Sequence, residues 1–415
     1  AFVRMEDYSL DAVARKVLGE GKTLTGRGRA DEILRLYEED PQSLVEYNRT
    51  DARLVTEILK KLQLVELAIE RSRLTGLPLD RVSSSIAAFD FLYLAELGRR
   101  GIVAPSVGAV TAEGQAQGGG HVFEPLPGLY SNVVVLDFKS LYPSLIRTFQ
   151  IDPLNLLRPD TAEADSGADA IMAPNGAAFA RRTGILTEIL DEIMPRREEA
   201  KRAGDTVKSH AMKILMNSFY GVLGTPACRF HDPRLANAIT SFGREVLLWC
   251  RERIETEGRR VLYGDTDSLF VESGASSPEQ ARRLGATLAD ALTRDLAAHV
   301  ARRWNVESRL ELQFERLYLR LCLPAVRHGT AGARKRYAGL VEGPRGPRVL
   351  FTGMEAVRGD WTDLAREVQR ELYARLFTDR PVDEYLRGVV ADLRAGAHDE
   401  RLVYRKALRK PPEEY

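Results

Sequence analysis

Long apolar runs, cysteine and an excess of charge of either sign are all scarce in this 415-residue sequence. No uncharged apolar run approaches the ~18 residues that a membrane-spanning helix needs, so we expect no membrane partner. The three cysteines are too few and too scattered for a disulfide framework or a zinc cluster, which favours a reducing cytoplasm. The net charge of +1 excludes a protein that grips nucleic acid by bulk positive charge.

The composition is that of a folded chain, with 44% hydrophobic and 29% charged residues, and the length predicts two to four domains at about 150 residues each. Local basic stretches still allow contact with nucleic acid. The alternative is that both stretches are ordinary solvated faces. The first stretch lies in 327–348 and contains Arg327, Arg334, Lys335, Arg336, Arg345 and Arg348, against Glu342; the second contains Arg401, Arg405, Lys406, Arg409 and Lys410.

Periodicity and turn residues predict the secondary structure. Helices are expected over 31–75, 86–98 (closed by Gly98), 185–203, 206–222, 235–256, 278–302 and from about 362 to 415. Strands are expected over 133–136, 261–272 (a hairpin), 309–323 and 335–342. The segment 104–120 is predicted to be a loop at a domain junction, and 155–180 a surface loop.

Three aspartates stand at predicted strand ends. Asp137 ends the apolar run VVVLD, and Asp265 and Asp267 lie at the tip of the hairpin YGDTDS. Carboxylates at adjacent sheet edges form an oxygen-only site that suits Mg²⁺, and two such ions activate an attacking oxygen and stabilise a leaving one. The alternative for an isolated Asp-x-Asp is a turn held by side-chain hydrogen bonds.

A helix face carries cations and polar groups. Lys213, Asn217 and Tyr220 are spaced to share one face of the second helix of an αα-hairpin, and Arg197 and Lys201 share a face of the first. Converging cations of this kind bind a triphosphate and neutralise charge in phosphoryl transfer. The alternative is a charged surface with salt bridges to neighbouring glutamates.

The segment after Asp137 also bears on the site. Pro143 disfavours a helical conformation at Tyr142 unless a helix starts there, so the strand is expected to end and a turn to follow. Tyr142 is then held against whatever the metals bind. The alternative is a packed core tyrosine.

Four segments, in this order and at this spacing, resemble the motifs of B-family DNA polymerases, most closely the bacterial DNA polymerase II branch. They are DFKSLYPS (137–144), KILMNSFYG (213–221), YGDTDS (263–268) and RKRYAGL (334–340). Flanking stretches such as SLIRTFQIDP (144–153), TGMEAVRGDWT (352–362) and RLVYRKALRK (401–410) extend the resemblance over nearly the whole chain.

The resemblance implies an α+β fold: an antiparallel palm sheet flanked by helices, helical-hairpin fingers, and helical exonuclease and thumb remnants. It implies a fragment that contains the end of a 3′–5′ exonuclease domain, the palm, the fingers and the start of the thumb. The implied ranges are 1–100 (exonuclease), 101–130 (connector), 131–156 and 227–361 (palm), 157–226 (fingers) and 362–415 (thumb).

The resemblance also implies roles for individual residues. Asp137 and Asp267 would hold two Mg²⁺ ions, with the Phe138 carbonyl in reach and Asp265 in an indirect role. The residues implied to bind the nucleotide are Tyr142, which would exclude ribose, and Arg197, Lys201, Lys213, Asn217 and Tyr220. The residues implied to bind the primer are Arg334, Lys335, Arg336 and Tyr337, with Arg334 standing where a lysine is usual.

Tyr47 and Asp51 fit the Tyr-x-x-x-Asp pattern of the third motif of proofreading exonucleases. In a helix the two residues lie on one face, so the Asp51 carboxylate, a metal ligand in this pattern, is close to the Tyr47 phenol, which orients water. The other exonuclease motifs are expected upstream of this sequence, so proofreading is predicted to be incomplete in this chain.

The predicted reaction is template-directed addition of deoxynucleotides to a primer 3′-hydroxyl, with primer-template DNA and deoxynucleoside triphosphates as partners. For the full-length protein, a sliding clamp and a bacterial, nucleoid-associated location are expected from the resemblance. Two alternatives stay open: a catalytically silent DNA-binding module, and an enzyme that synthesises RNA. The bulk of Tyr142 argues against the second.

Overall fold

A computed structural model provides the fold of this protein. It divides into two compact units, a helical unit of residues 1–111 and 188–231 and a sheet unit of residues 112–187 and 232–415. The predicted α+β class, with an antiparallel sheet flanked by helices, is confirmed. Within the part of the chain that is described, no helix is both long and apolar enough to cross a membrane. The structure describes residues 5, 7–24, 28–108, 118–157, 169–326, 329–404, 411 and 414.

The helical unit confirms the helices predicted between residues 31 and 75. Its members are α1 (Leu10–Val17), α2 (Arg29–Glu39), α3 (Pro41–Leu62), α4 (Leu64–Thr75), α5 (Ser85–Arg99), α7 (Ile185–Arg202, in this unit from residue 188) and α8 (Thr206–Leu223). The predicted end of α5 at Gly98 is wrong, because the helix continues to Arg99 and the chain turns at Gly101, which has a φ of 67°. The left-handed backbone conformation that favours glycine is therefore found at Gly101 and not at Gly98.

Aromatic rings join α5 to α8 within the helical unit. Phe89 stacks on Tyr93 with ring centroids 5.3 Å apart and meets Phe219 of α8 edge-on at 5.7 Å. Phe230 lies 4.7 Å from the Tyr93 ring. This packing holds one face of α8 in the core and leaves the opposite face to solvent.

The sheet unit contains one antiparallel six-stranded sheet in the order β4-β5-β1-β6-β7-β8 and a separate β2–β3 pair. The strands are β1 (Gly128–Phe138), β2 (Ile171–Met172), β3 (Ala178–Phe179), β4 (Val261–Asp265), β5 (Ser268–Glu272), β6 (Leu312–Leu323), β7 (Tyr337–Val341) and β8 (Arg348–Thr352). The helices are α6 (Leu141–Phe149), α9 (Pro233–Thr256), α10 (Pro278–Trp304), α11 (Asp363–Phe377) and α12 (Asp383–Arg394).

Three predictions for this unit are corrected. Strand β1 is longer than the predicted 133–136, because its polar first half also pairs with β6. The segment 155–180 is not wholly a surface loop, since β2 and β3 pair within it and bury Ile171 and Phe179. A continuous helix after residue 362 is wrong, because the chain breaks between α11 and α12 and is non-helical over 402–404. Within these predicted segments, residues 109–117, 158–168, 405–410, 412, 413 and 415 lie outside the described residues.

Helices α9 and α10 pack against the sheet. A side chain at Gly285 of α10 would meet the Phe314 ring of β6 at 2.5 Å, so glycine allows this close approach. Part of the sheet's core is a cluster that contains Val133, Val135, Phe270 and Tyr318. The sheet curls around this cluster.

The start of β7 shows how far the sheet curls. The Lys335 backbone N–H, just before β7, donates to the Tyr263 hydroxyl of β4 at 3.1 Å, although three strands separate β4 and β7 in the sheet order. The curl therefore returns the segment before β7 to the strand that carries the aspartate hairpin.

Candidate active site

The three predicted aspartates come together at one end of the sheet. Ser268 of β5 is the Cα partner of both Asp137 in β1 and Asp265 in β4, so these two residues lie two strand spacings apart, roughly 10 Å. The Phe138 N–H donates to the Asp267 carbonyl at 2.9 Å, which ties the hairpin tip to the end of β1. Asp137 is thus near the end of β1, and Asp267 is in the turn directly before the adjacent strand, β5.

The hairpin tip is a tight turn held by backbone hydrogen bonds. Thr266 has a φ of 59°, and its N–H donates to the His121 carbonyl at 2.8 Å. The Asp267 N–H donates to the Asp265 carbonyl at 2.6 Å. A Cβ at Gly264 would meet the Phe123 ring at 2.5 Å, so glycine is required where this ring covers the hairpin.

Asp265 has a counter-ion within the protein. Lys335 Nζ lies 2.8 and 3.0 Å from its two carboxylate oxygens, and the Tyr263 hydroxyl donates to Oδ2 at 3.2 Å. Burial, together with the nearby Asp265 charge, raises the pKa of Tyr263, which keeps that hydroxyl protonated as a donor. The arrangement agrees with an indirect role for Asp265.

Asp267 has a different environment. Burial raises the pKa of this carboxyl, and the negative charges of Asp265 and Glu315 add to the effect. A partly buried carboxylate among other carboxylates gains most from a bound cation. Asp267 is therefore the aspartate of this hairpin whose surroundings best suit a metal ion.

The donor set fits Mg²⁺ only in part. Its carboxylates and the Phe138 carbonyl are oxygen ligands, which Mg²⁺ prefers. Within the described ranges, no three His, Cys, Asp or Glu side chains are grouped closely enough to form a metal site. Mg²⁺ commonly keeps several waters and takes further ligands from substrate phosphates, so two protein carboxylates suffice to place it.

Tyr142 lies where the predicted turn leads into a helix. Strand β1 ends at Phe138, Ser140 has a φ of 53°, and α6 begins at Leu141, so Pro143 falls in the first turn, where proline is tolerated. Gly243 of α9 lies beneath this turn, and a Cβ there would be 4.0 Å from the Tyr142 ring. Tyr142 is half-buried rather than fully packed in the core, which leaves part of its ring accessible.

Residues 334–337, which are predicted to contact the primer, are here called the basic segment. They differ from one another in exposure and in contact partners. Arg334 and Lys335 are exposed, and Lys335 reaches Asp265. The Arg336 guanidinium pairs with Glu355. The Tyr337 ring packs edge-on against Phe270 with centroids 5.3 Å apart.

A cleft of about 570 Å³ beside the hairpin was not predicted from the sequence. Arg244 and Arg334 line the cleft and make it positive. Burial lowers the pKa of His121, and the nearby charges of Arg244, Arg334 and Arg251 add to the effect. The sequence does contain a signal for this cleft: polar residues recur at helical spacing along α9. In the structure they lie beside a run of three glycines. The lining residues are Gly118, Gly119, Gly120, His121, Val122, Asn175, Asn237, Thr240, Ser241, Arg244, Arg334 and Lys335.

The helical unit carries the predicted nucleotide-binding face. Lys213 and Asn217 are exposed on α8 and Tyr220 is half-buried, while Leu215 and Val222 on the opposite side are buried. The prediction that these three residues share one helix face is confirmed.

The cations predicted on α7 differ from each other. Lys201 pairs with Glu198 at 2.8 Å, as the salt-bridge alternative expected. Arg197 has its Nε atom buried without a hydrogen-bond partner. The neighbouring Arg196 pairs with Glu192 at 2.8 Å. Arg196 and Lys201 are thus paired with glutamates, whereas the Nε atom of Arg197 is buried.

Tyr47 and Asp51 both lie in α3, as their spacing predicts. The side chain of Lys22, which sequence reasoning missed, pairs with Asp51 and lies over the Tyr47 ring, 5.0 Å from its centroid. Burial lowers the pKa of Lys22, but its contacts with Asp51 and Tyr47 outweigh this and raise it. No spacing in the sequence indicates this contact, because 29 residues separate Lys22 from Asp51.

Comparison with known proteins identifies the family. Residues 82–415 match the family model described as DNA polymerase family B. The chain belongs to DNA polymerase family B.

Curated relatives agree with this membership. DNA polymerase II of Escherichia coli (strain K12) is 44% identical over 428 residues, covering 100% of this chain and 53% of that protein. DNA polymerase 2 of Aeropyrum pernix is 30% identical over 91% of this chain and 46% of its own length. The DNA polymerase delta catalytic subunit of Bos taurus is 28% identical over 99% and 39%. The chain spans about half the length, or less, of these relatives.

Proposed function

We propose that this chain is a template-directed DNA polymerase that adds deoxynucleotides to a primer 3′-hydroxyl, in replication or repair synthesis. The observation that carries the proposal is the placement of Asp137, near the end of β1, next to the hairpin turn that contains Asp267, beside a positive cleft. Family membership adds independent support. The proposed domain ranges are those implied by the motifs, with the palm at 131–156 and 227–361.

Asp137 and Asp267 are the proposed holders of two Mg²⁺ ions, with the Phe138 carbonyl as a further oxygen ligand. When bound, these ions would supply charge stabilisation for the attacking oxygen and for the leaving pyrophosphate. Asp265 has a separate role in this proposal. It holds Lys335 next to the site and leaves Asp267 as the carboxylate of the hairpin that faces a cation.

The nucleotide is proposed to be bound by cations and recognised by a tyrosine. Lys213, Arg197 and Lys201 would bind the triphosphate, and the support is the exposed position of Lys213 on α8. Asn217 and Tyr220 share the face of Lys213 and would position the nucleotide. Tyr142 would exclude a ribose 2′-hydroxyl, which its fixed position at the start of α6 supports.

Primer-template DNA is proposed to run along the basic segment and the positive cleft. Arg334, Lys335 and Tyr337 would contact the primer strand, while the cleft would bind phosphates of a single strand. Arg336 is treated separately below. On the family resemblance alone, we propose a sliding clamp and a nucleoid location for the full-length protein, and an exonuclease role for Tyr47 and Asp51.

Primer extension with excess protein, a primed template, deoxynucleotides and Mg²⁺ tests the function, with Asp137→Asn as the matched variant. Addition by the wild type and not by the variant is the expected result. A DNA-binding titration on the same samples accompanies it. Tight binding of primed DNA by a wild type that adds no nucleotide would contradict the proposal and favour a silent DNA-binding module.

A further inference from the structure

The basic segment is held from two sides. Lys335 extends to Asp265 of the hairpin, whereas Arg336 pairs with Glu355, which follows β8. Both cations therefore have anionic partners, but the partners differ in burial. The Asp265 side chain is 25% exposed and that of Glu355 only 10%, while Lys335 is 60% exposed against 31% for Arg336. Lys335 is free to reach a phosphate by a rotamer change, and the Arg336 pair is a fixed structural contact.

Glu355 is a buried carboxylate with several donors. It lies in a short 3₁₀ helix, Glu355–Val357, and accepts hydrogen bonds from Arg336 and from Gln369 Nε2, the latter at 2.7 Å. The Oε1 atom of Gln369 accepts the Ala356 N–H at 2.6 Å, so the Gln369 amide is fixed at both ends. Burial raises the pKa of Glu355, but the Gln369 and Arg336 hydrogen bonds outweigh it and lower the pKa to about 2. A carboxylate buried this far stays charged only because it is paired.

The backbone beside Glu355 also contacts the basic segment. Gly353 has a φ of 60°, and a Cβ there would lie 2.0 Å from the Lys335 carbonyl oxygen. The same Cβ would come within 3.3 Å of Arg336 Cγ. Glycine is therefore required for this approach, and the basic segment is fixed by a backbone contact as well as by the ion pair.

Helix α11, which supplies Gln369, is itself packed on the sheet. Tyr373 meets the Phe351 ring of β8 at 5.6 Å, and Phe377 lies in a core cluster with Ala338 and Leu340 of β7. Gln369 is thus presented from a rigid support. The Arg336–Glu355–Gln369 chain joins the basic segment to the first helix of the proposed thumb.

We propose that Glu355 and Gln369 are positioning residues that act through Arg336 to hold Lys335 and Tyr337 in place for the primer end. The proposal rests on the proposed function. In this account Arg336 is an anchor within the protein, and Lys335 is the phosphate ligand. A primer end that is misplaced by about 1 Å reacts roughly a hundredfold more slowly, so a loosened anchor acts on the rate of addition.

The test compares Glu355→Gln, Arg336→Gln and the double variant with Glu342→Gln as the matched control. Glu342, which directly follows β7, also pairs with an arginine, Arg282 of α10, at 2.5 Å, but it is exposed and away from the basic segment. Two quantities are measured: the single-turnover rate of addition at saturating primed template, and the affinity for that DNA as a function of salt. Thermal unfolding of each variant sets a temperature at which all are folded.

Each single variant is expected to lower the addition rate by roughly ten- to a hundredfold. The double variant should lose no more than the worse single variant, because the two residues act as a unit. The slope of log affinity against log salt should stay that of the wild type in all three, and Glu342→Gln should behave as wild type. Gln369→Leu keeps the Arg336–Glu355 ion pair and should therefore show a smaller loss of addition rate. It replaces Glu355→Gln in the test if that variant fails to fold.

Two results would overturn the inference while leaving the proposed function intact. One is a salt slope that falls by about one in Arg336→Gln with normal behaviour of Glu355→Gln, which makes Arg336 a phosphate ligand. The other is a lower unfolding temperature with unchanged rate and affinity, which makes the pair purely structural. A wild type that neither binds nor extends primed DNA would overturn the proposed function itself.

Discussion

Two lysine–aspartate pairs in this protein have the same composition and different surroundings. In the sheet unit, Lys335 pairs with Asp265 beside Tyr263; in the helical unit, Lys22 pairs with Asp51 beside Tyr47. The Lys335 side chain is 60% exposed, whereas that of Lys22 is 10% exposed. The first lysine can exchange its partner for a phosphate, and the second is locked in place.

The neighbours of each aspartate differ as well. Asp265 is followed by Asp267 and lies two strands from Asp137, so the sheet brings further carboxylates to the first pair. Asp51 stands on a helix with one carboxylate oxygen, Oδ1, buried without a hydrogen-bond partner. The comparison teaches that an aspartate becomes a candidate metal ligand through the strands beside it, and not through its own sequence motif.

The largest expected difference is in nucleotide addition. Asp267→Asn should abolish addition, by about a thousandfold or more, because it removes charge stabilisation where charge develops in the reaction. Asp51→Asn should leave addition within about twofold of the wild type, since this residue lies outside the proposed polymerase site. Steady-state primer extension measures both. Substantial addition by Asp267→Asn would contradict its assignment as a metal ligand.

The next difference concerns a tyrosine from each unit. Tyr142→Ala should raise the use of ribonucleotides by roughly ten- to a hundredfold, because the ring no longer opposes the 2′-hydroxyl. Tyr47→Ala should leave sugar selection unchanged. The ratio of kcat/KM for deoxyribonucleotides and ribonucleotides measures the effect. A wild type that already uses both equally would make the proposed role of Tyr142 untenable.

A smaller difference is expected in the salt dependence of DNA binding. Lys335→Ala should reduce the slope of log affinity against log salt by about one, because one phosphate contact is lost. Lys22→Ala should leave that slope unaltered, since the buried lysine already has Asp51 as its partner. Binding titrations at several salt concentrations measure the slopes. Equal slopes for wild type and Lys335→Ala would mean that Lys335 never leaves Asp265.

The smallest effects are on stability, and they have opposite signs. Asp51→Asn should lower the free energy of unfolding by about 1–3 kcal/mol, because Lys22 stays largely buried without its partner. Asp267→Asn should raise it by up to about 1 kcal/mol, because it removes a carboxylate disfavoured by burial and by like charges. Chemical denaturation of the two variants at neutral pH measures both changes. Destabilisation by Asp267→Asn would contradict the claim that the Asp267 carboxylate is electrostatically unfavourable in the folded protein, in contrast to Asp51.

The pH dependence follows from the direction of the Asp267 shift. Its pKa is raised in the folded protein above the ordinary value of 3.8, so the charged form costs stability at neutral pH. The advantage of Asp267→Asn should therefore be present above the folded pKa and vanish as the pH falls below 3.8. Denaturation curves between pH 7 and 3 measure this change.

Much of this organisation follows from local sequence. The hairpin of β4 and β5, the helices α7 to α10 and the shared face of Lys213, Asn217 and Tyr220 are confirmed, because periodicity and turn residues act over short distances. Strand β8 was not predicted, because its apolar run is short and is flanked by arginine and glycine residues, which are more typical of a loop. The break between α11 and α12 was missed for a similar reason, because helical residues surround it.

The contacts that define the candidate site could not be predicted from spacing. Lys335 reaches Asp265 across 70 residues, and only the curl of the sheet brings them together. Arg336 and Glu355 are 19 residues apart in the sequence. They come together because Arg336 directly precedes β7 and Glu355 follows the end of β8, which pairs with β7. Sequence motifs predicted the candidate residues, but tertiary structure decides which of them already have a partner.

The central claim is that Asp137 and Asp267 act together as one catalytic centre. The most direct test is the single-turnover rate of nucleotide addition for Asp137→Asn, Asp267→Asn and the double variant, at DNA concentrations that saturate binding. The account predicts that the double variant loses no more activity than the worse single variant, because either change disables the same centre. Losses that multiply, or a wild-type rate in either single variant, would contradict it.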